Sequence, residues 1–72
     1  MGFTMKTREL LAFLEAKGFW HDRDGRHKVM TDGKRSVPIP THSGDLDKGT
    51  LTSALRLAGF RVRDAKEWKE RG

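Results

Sequence analysis

Two Asp-Gly pairs, eight residues apart, constrain the fold of this chain more than any other feature of its sequence. They lie at residues 24–25 and 32–33, and Asp-Gly is a preferred sequence in the tight turns that join antiparallel strands. We therefore expect a three-stranded antiparallel meander with strands near residues 19–23, 26–31 and 34–39. This sheet forms the centre of the predicted fold.

The register of the second hairpin depends on the length of its loop. A two-residue loop places Lys28 opposite Val37, whereas a three-residue loop places Val29 there. We favour the three-residue loop because it gathers both valines and Ile39 on one face of the sheet. Pro38 has no amide hydrogen to donate, so the third strand is expected at an edge of the sheet.

Apolar residues recur at helical spacing on both sides of the strands. A first helix is expected to begin at Thr7, its N-cap, and to end at Gly18, with Phe19 folding back on it. A second helix is expected to start at Lys48 and to end at Gly59. Their apolar faces consist of Leu10, Leu11, Phe13 and Leu14 in the first helix and Leu51, Ala54, Leu55 and Ala58 in the second.

These segments predict a single α+β domain over residues 1–72, in the order helix, three strands, helix. Its core is expected within about residues 5–60, and residues 61–72 are expected to form a C-terminal anchor. An Asp-x-x-Glu pair ahead of Trp68 has the spacing of a capping box. The anchor is either a short helix that places the Trp68 indole on the core or a frayed tail.

The composition narrows the environment and the partners of the chain. There is no cysteine, so a disulfide framework and a thiolate zinc site are both excluded. No apolar run approaches the roughly 20 residues that span a bilayer, and none has the form of a signal peptide, so we expect a cytoplasmic protein that contacts no membrane. Fifteen Lys and Arg against ten Asp and Glu give a net charge of +5, which either attracts a polyanion such as nucleic acid or serves solubility alone.

His27 carries the clearest chemical signal. It follows a glycine turn and lies between Arg26 and Lys28, so an imidazole that titrates near neutral pH stands among cations that attract phosphate. When a ribose 2′-hydroxyl attacks its neighbouring phosphate in RNA, an enzyme must move protons and stabilise added negative charge. Such cleavage requires no metal or cofactor, and the spacing of the three histidines fits no zinc site.

Two further residues have open assignments. His42, in the loop after the third strand, is either a second proton-transfer group at the same end of the sheet or a solvated loop residue. Trp20 follows Phe19 on the first strand and therefore points to the opposite face. It is either an exposed platform for a base or a protein partner, or it is partly buried under the C-terminal tail.

Three sequence motifs follow one another in an order that is typical of one protein family. They are Gly25-Arg26-His27, then Val37-Pro38-Ile39-Pro40 with His42, and then Lys48-Gly49-Thr50-Leu51 with the closing Ala58-Gly59. Over roughly residues 5–60 the chain resembles the HicA family of bacterial toxins. The helix start with its closing Ala-Gly is the most specific part of the resemblance.

The resemblance implies a double-stranded-RNA-binding-like fold, α-β-β-β-α, with a three-stranded antiparallel sheet and two helices on one face. It also implies a ribosome-independent mRNA interferase whose catalytic histidine maps to His27. The implied partner is a HicB antitoxin, an acidic-sided protein that covers the active face of the toxin and often represses their shared operon. The family usually has serine where Arg26 stands, and this arginine either weakens activity or compensates by holding the scissile phosphate.

We therefore expect the toxin of a type II toxin–antitoxin pair, which binds mRNA on a basic surface and cleaves it with His27. The expected RNA-binding residues are Arg26, Lys28, Arg35 and His42. Two alternatives remain at this stage. One is a non-enzymatic RNA-binding module with the same fold, and the other is a basic domain that docks an acidic protein.

Overall fold

The computed structural model describes residues 3–23, 28–39 and 45–71. The elements, in chain order, are α1 (Thr7–Ala16), β1 (Trp20–Arg23), β2 (Lys28–Thr31), β3 (Ser36–Ile39), α2 (Lys48–Leu57) and α3 (Val62–Arg71). The strands form one antiparallel sheet in the order β1-β2-β3. The predicted α+β class and the α-β-β-β-α arrangement are confirmed, and α3 follows that arrangement.

Helices α1 and α2 both end in a glycine followed by a phenylalanine. Gly18 has φ +94° and Gly59 has φ +87°, a left-handed conformation that glycine adopts without steric cost. The amide of Phe19 and that of Phe60 each donate to the carbonyl oxygen five residues earlier, at 2.9 and 2.8 Å, as in a Schellman motif. Both rings therefore turn back towards the helices, where their centroids lie 6.3 Å apart.

The helix starts differ in part from the sequence prediction. The N-cap of α1 is Lys6 and not Thr7, because the carboxylate of Glu9 accepts the Lys6 amide at 2.9 Å and the helix begins one residue earlier than a threonine cap would allow. The N-cap of α2 is Asp47, whose Oδ2 accepts the amide of Thr50 at 3.1 Å. The predicted start of α2 at Lys48 is thus confirmed.

The register of β2 against β3 is not the one that the sequence favours. Met30 lies opposite Val37, and Lys28 lies opposite Ile39. The expected pairing of Val29 with Val37 is therefore wrong by one residue, which moves Val29 to the other face of the sheet. The buried face consists of Met30, Val37 and Ile39, and the flexible methionine fills the place expected for valine.

The register shift follows from a four-residue turn over residues 32–35. The Asp32 carboxylate Oδ1 accepts the amides of Lys34 and Arg35 at 2.9 and 2.8 Å, and the Thr31 hydroxyl donates to the Arg35 carbonyl at 2.6 Å. These local hydrogen bonds hold the turn open by one residue more than the favoured loop. A hairpin register is set by its loop length, so the pairing moves with it.

The C-terminal segment is a helix and not a frayed tail. It begins at Val62, where the Asp64 carboxylate accepts the amide of Arg61 at 2.9 Å. Its Trp68 meets the buried Phe13 of α1 edge to face, with ring centroids 5.6 Å apart. The three helices therefore pack together, and the apolar side chains of α1 and α2 are buried on the side of the sheet that carries Met30.

Candidate nucleic-acid interface

One end of the sheet is formed by the pair Lys28 and Ile39. Lys28 begins β2 and is exposed, whereas Ile39 ends β3 and is 2% exposed. Within the described part of the chain, the ion pair is that of Lys69 with Glu9, so the Lys28 ammonium has no acidic partner there. A cation in this state is available for a phosphate.

Three of the five candidate site residues lie outside the described residues. They are Arg26, His27 and His42. The two that the structure describes, Lys28 and Arg35, are not brought together. Arg35 is the last residue of the β2–β3 turn, whereas Lys28 lies at the other end of the hairpin, three strand steps or about 10 Å from Thr31.

Arg35 has a structural contact that the sequence does not reveal. Its Nη1 donates to the carbonyl oxygen of Ala58 at 3.4 Å, at the C-terminus of α2. A Cβ added to Gly59 would overlap the guanidinium, so the arginine lies directly across that glycine. A cation at this position complements the partial negative charge of the helix end. Arg35 is still exposed, so its remaining donors face solvent.

The face of the sheet away from the helices, called the open face here, carries Trp20. Trp20 is paired with Thr31 and Thr31 with Ser36, while the buried Met30 and Val37 alternate with them. Trp20 is 51% exposed. Of the two assignments left open by the sequence, burial under the C-terminal segment is wrong, because α3 packs against α1 on the opposite side.

The acidic groups with perturbed pKa values cap backbone turns. The backbone amide of Lys6 lowers the pKa of Glu9, and the adjacent Lys69 lowers it further. The backbone amides of Arg35 and Lys34 lower the pKa of Asp32, and the hydroxyl and amide of Thr50 lower that of Asp47. Hydrogen bonds to a carboxylate favour its charged form. These three carboxylates therefore accept hydrogen bonds that stabilise local structure. Because their pKa values are lowered, they are not candidates for a general acid.

His21 is the histidine that falls within the described residues. It is exposed on β1, where its register partner is Met30. No group of three or more His, Asp or Glu side chains that could hold a metal ion occurs among residues 3–23, 28–39 and 45–71.

A shallow groove between β3 and α2 is a feature that the sequence analysis missed. It is lined by Pro38 of the edge strand and by Thr50, Ser53 and Leu57 of α2, and Leu57 is 51% exposed. The signal was present in the sequence, because Leu57 lies outside the stripe formed by the apolar residues of α2. A large apolar side chain off the stripe faces either solvent or a partner.

Among the described residues, no helix combines the length and the apolar character needed to cross a bilayer.

Comparison with known proteins gives one family. A family model described as the HicA toxin of bacterial toxin–antitoxin systems matches residues 7–60, about three quarters of the chain. Searches of curated proteins and of solved structures give no match.

Proposed function

This chain belongs to the HicA family of toxins of bacterial toxin–antitoxin systems, and on that premise we propose that it is an mRNA interferase that cuts RNA with His27. The matched region runs from the start of α1 to the phenylalanine after α2 and so includes every candidate site residue. Cleavage of mRNA stops translation, which accounts for toxicity and growth arrest. The cytoplasm is the compartment where its substrate would be found.

The pairing of Lys28 with Ile39 is the observation that best supports this proposal. His27 is bonded to Lys28, and consecutive Cα atoms are about 3.8 Å apart. His42 follows Ile39 by three residues, so its Cα lies within about 11 Å of that of Ile39. Because Lys28 and Ile39 are directly paired, covalent connectivity tethers both histidines to the same end of the sheet, beside the exposed Lys28.

The proposed reaction is transesterification within the RNA. A general base removes the proton of a ribose 2′-hydroxyl, whose oxygen forms a bond to the adjacent phosphorus while the bond to the 5′-oxygen breaks. A general acid then gives that leaving oxygen a proton, so the products carry a 2′,3′-cyclic phosphate and a 5′-hydroxyl. His27 performs one proton transfer, His42 is the candidate for the other, and no cofactor takes part.

The cations beside His27 supply charge stabilisation. In the pentavalent transition state the phosphate oxygens carry additional negative charge, which Arg26 and Lys28 are positioned by sequence to neutralise. Arg35 is a candidate for a more distant phosphate because it lies at the other end of the hairpin. With the net charge of +5, this arrangement favours binding of RNA whose strength falls as salt rises.

The proposed protein partner is a HicB-type antitoxin. Membership of a toxin–antitoxin family implies an antitoxin, and an acidic surface on that antitoxin would complement the basic charge of this chain. Covering the sheet end that begins at Lys28 would deny RNA access to His27. Complex formation and inhibition would then have the same structural cause.

Growth and mRNA decay after induction in a bacterial host test this proposal. We expect the wild type to arrest growth and deplete mRNA, and His27→Ala to do neither. His21→Ala is the matched control, because His21 is an exposed histidine on β1 that the proposed reaction does not use, and it should behave as the wild type does. If His27→Ala is soluble and equally toxic, His27 is not catalytic. Toxicity with intact mRNA would favour the RNA-binding or protein-docking alternative.

A further inference from the structure

The open face of the sheet holds an aromatic residue that the proposed cleavage chemistry does not use. Trp20 is 51% exposed, which is unusual for so large a ring in a chain with a small core. Helices cover the other face, so no described element of the chain covers this one. We propose that Trp20 is a stacking platform for an unpaired RNA base and positions the strand for cleavage. This inference rests on the proposed function.

The indole lies beside the β2–β3 turn. A Cβ added to Gly33 would meet Cη2 of Trp20 at 3.5 Å, so the edge of the ring lies over this glycine of the turn. Thr31, which is paired with Trp20, is 8% exposed although it belongs to the open face. The side of the ring towards the sheet is therefore supported, and its exposed part faces solvent. A fixed aromatic surface loses little entropy when a base stacks on it.

The turn beneath the ring is itself rigid. The carboxylate of Asp32 accepts the amides of Lys34 and Arg35, and the Thr31 hydroxyl accepts the Gly33 amide at 3.1 Å. These bonds hold the turn in one conformation, so the surface beside the indole is well defined. The Asp32 carboxylate is also turned into the loop, where its charge is taken up by backbone donors.

Charge favours an anionic occupant of this face, and the exposed ring favours one that offers free bases. Lys34 follows Gly33 directly and is exposed, so a cation adjoins the turn that lies beside the ring, whereas Arg35 is directed to Ala58 on the other side of the sheet. Single-stranded nucleic acid is bound by this combination, in which aromatic rings stack on bases and nearby Lys or Arg side chains contact the phosphates. An acidic protein could also cover this face, and the experiments below distinguish it from RNA.

The position of the platform gives it a role in choosing the cleavage site. Thr31 is opposite Trp20 and Lys28 is three residues earlier on β2, so the stacked base would lie about 10 Å from the sheet end that adjoins His27. A base held at a fixed distance determines which phosphate reaches the histidine. Trp20 is therefore a positioning residue, and its loss should alter where RNA is cut as well as how tightly it binds.

Tryptophan fluorescence tests the proposal directly, because the chain contains only two tryptophans. In a Trp68→Phe variant Trp20 is the sole indole, and we expect a 2′-O-methylated oligouridylate, which is unpaired and cannot be cleaved, to quench it. Duplex RNA and an abasic oligonucleotide should quench it much less, since neither offers a free base. If Trp68→Phe fails to fold, the difference between wild type and Trp20→Phe gives the same signal.

Affinity supplies the second readout. Base stacking on an aromatic ring contributes roughly 5- to 150-fold to the dissociation constant, so Trp20→Ala should weaken oligouridylate binding by a factor in this range, and Trp20→Phe should restore most of it. The cleavage pattern of mRNA should shift in Trp20→Ala while His27 remains active.

The outcomes separate this proposal from the proposed function. Oligouridylate binding without quenching, and with wild-type affinity in Trp20→Ala, would overturn the platform while leaving the ribonuclease intact. A Trp20→Ala protein that binds and cuts RNA normally but loses its antitoxin would make the open face a protein interface and overturn the platform too. Absence of any RNA binding or cleavage by the wild type would overturn both proposals.

Discussion

Replacement of Trp68 by alanine tests whether α3 is an integral part of the domain. Trp68 is half-buried and meets Phe13 at 5.6 Å between ring centroids. Truncation of a fully buried Phe or Trp costs about 3 to 5 kcal/mol, and an edge-to-face pair contributes about 0.5 to 1.5 kcal/mol beyond its buried area. For a half-buried ring we therefore expect a loss of about 2 to 3 kcal/mol in the free energy of unfolding.

That loss is large for a chain of this size. At about 0.05 to 0.15 kcal/mol per residue, 72 residues give a total stability of roughly 4 to 11 kcal/mol. A change of 1 kcal/mol moves the Tm of a small domain by roughly 4 to 8 °C, so Trp68→Ala should lower the Tm by roughly 10 to 20 °C. Thermal unfolding followed by far-ultraviolet circular dichroism measures this shift.

Two variants control the measurement. Glu67→Ala changes the exposed neighbour of Trp68 on the same helix and should change stability by less than about 0.5 kcal/mol. Trp68→Phe keeps an aromatic ring against Phe13 and should recover more than half of the loss. If Trp68→Ala melts within a few degrees of the wild type, the packing of α3 on α1 contributes little and the helix is only loosely attached.

Three further predictions concern the helix ends, the carboxylates and the basic site. Gly18→Ala and Gly59→Ala should each lower the free energy of unfolding by about 1 to 2 kcal/mol, because both glycines have positive φ. Only Gly59→Ala also displaces Arg35. In an Arg35→Ala background the two substitutions should therefore lower the Tm equally. The folded-state pKa values of Glu9, Asp32 and Asp47 are lowered. The stability that these carboxylates contribute is therefore present above the ordinary carboxyl pKa range and is lost as pH falls through the folded-state values. In urea unfolding at decreasing pH, the free energy of unfolding should fall less steeply for Asp47→Asn than for the wild type. Lys28→Ala should lower RNA affinity and reduce the slope of log K against log salt by about 0.7, and an unchanged slope, or an equal change in the exposed control Lys66→Ala, would remove Lys28 from the interface.

The helices were predictable from the sequence because local chemistry alone determines them. The apolar stripes of α1 and α2 and the Gly-Phe pairs that close them act over a few residues, and the structure confirms both. The N-cap of α1 was misplaced, since Glu9 satisfies the first amide and no capping side chain is needed at Thr7. Neighbouring residues within one turn of helix therefore compete for the N-cap position.

The strand register was not predictable from the apolar pattern. Val29 and Met30 are adjacent apolar residues, and each can face the core, so the turn decides between them. The turn was read as an Asp-Gly hairpin, but the Asp32 carboxylate bonds to two amides beyond Gly33 and lengthens it. The structure shows which backbone amides the Asp32 side chain binds, whereas the sequence is compatible with several such hydrogen bonds.

The two described site residues illustrate the same limit. Lys28 was expected beside the candidate catalytic histidine because they are neighbours in the chain; it is exposed, and its role stays a prediction. Arg35 was assigned to RNA from its charge, yet the structure shows it across Gly59 with a hydrogen bond to Ala58. That contact joins residues 23 positions apart, so it cannot be predicted from a local sequence pattern.

Cleavage of a defined mRNA by the purified protein is the most direct test of the central claim. We predict that the wild type cuts the RNA without added cofactor and leaves 2′,3′-cyclic phosphate and 5′-hydroxyl ends, and that a 2′-deoxy substitution at the cut site blocks the reaction. Loss of a general acid or base slows catalysis about 10²- to 10⁴-fold, so His27→Ala should be slower by that factor while His21→Ala is unchanged. Cleavage by His27→Ala at the wild-type rate, or cleavage of the 2′-deoxy substrate, would contradict the account.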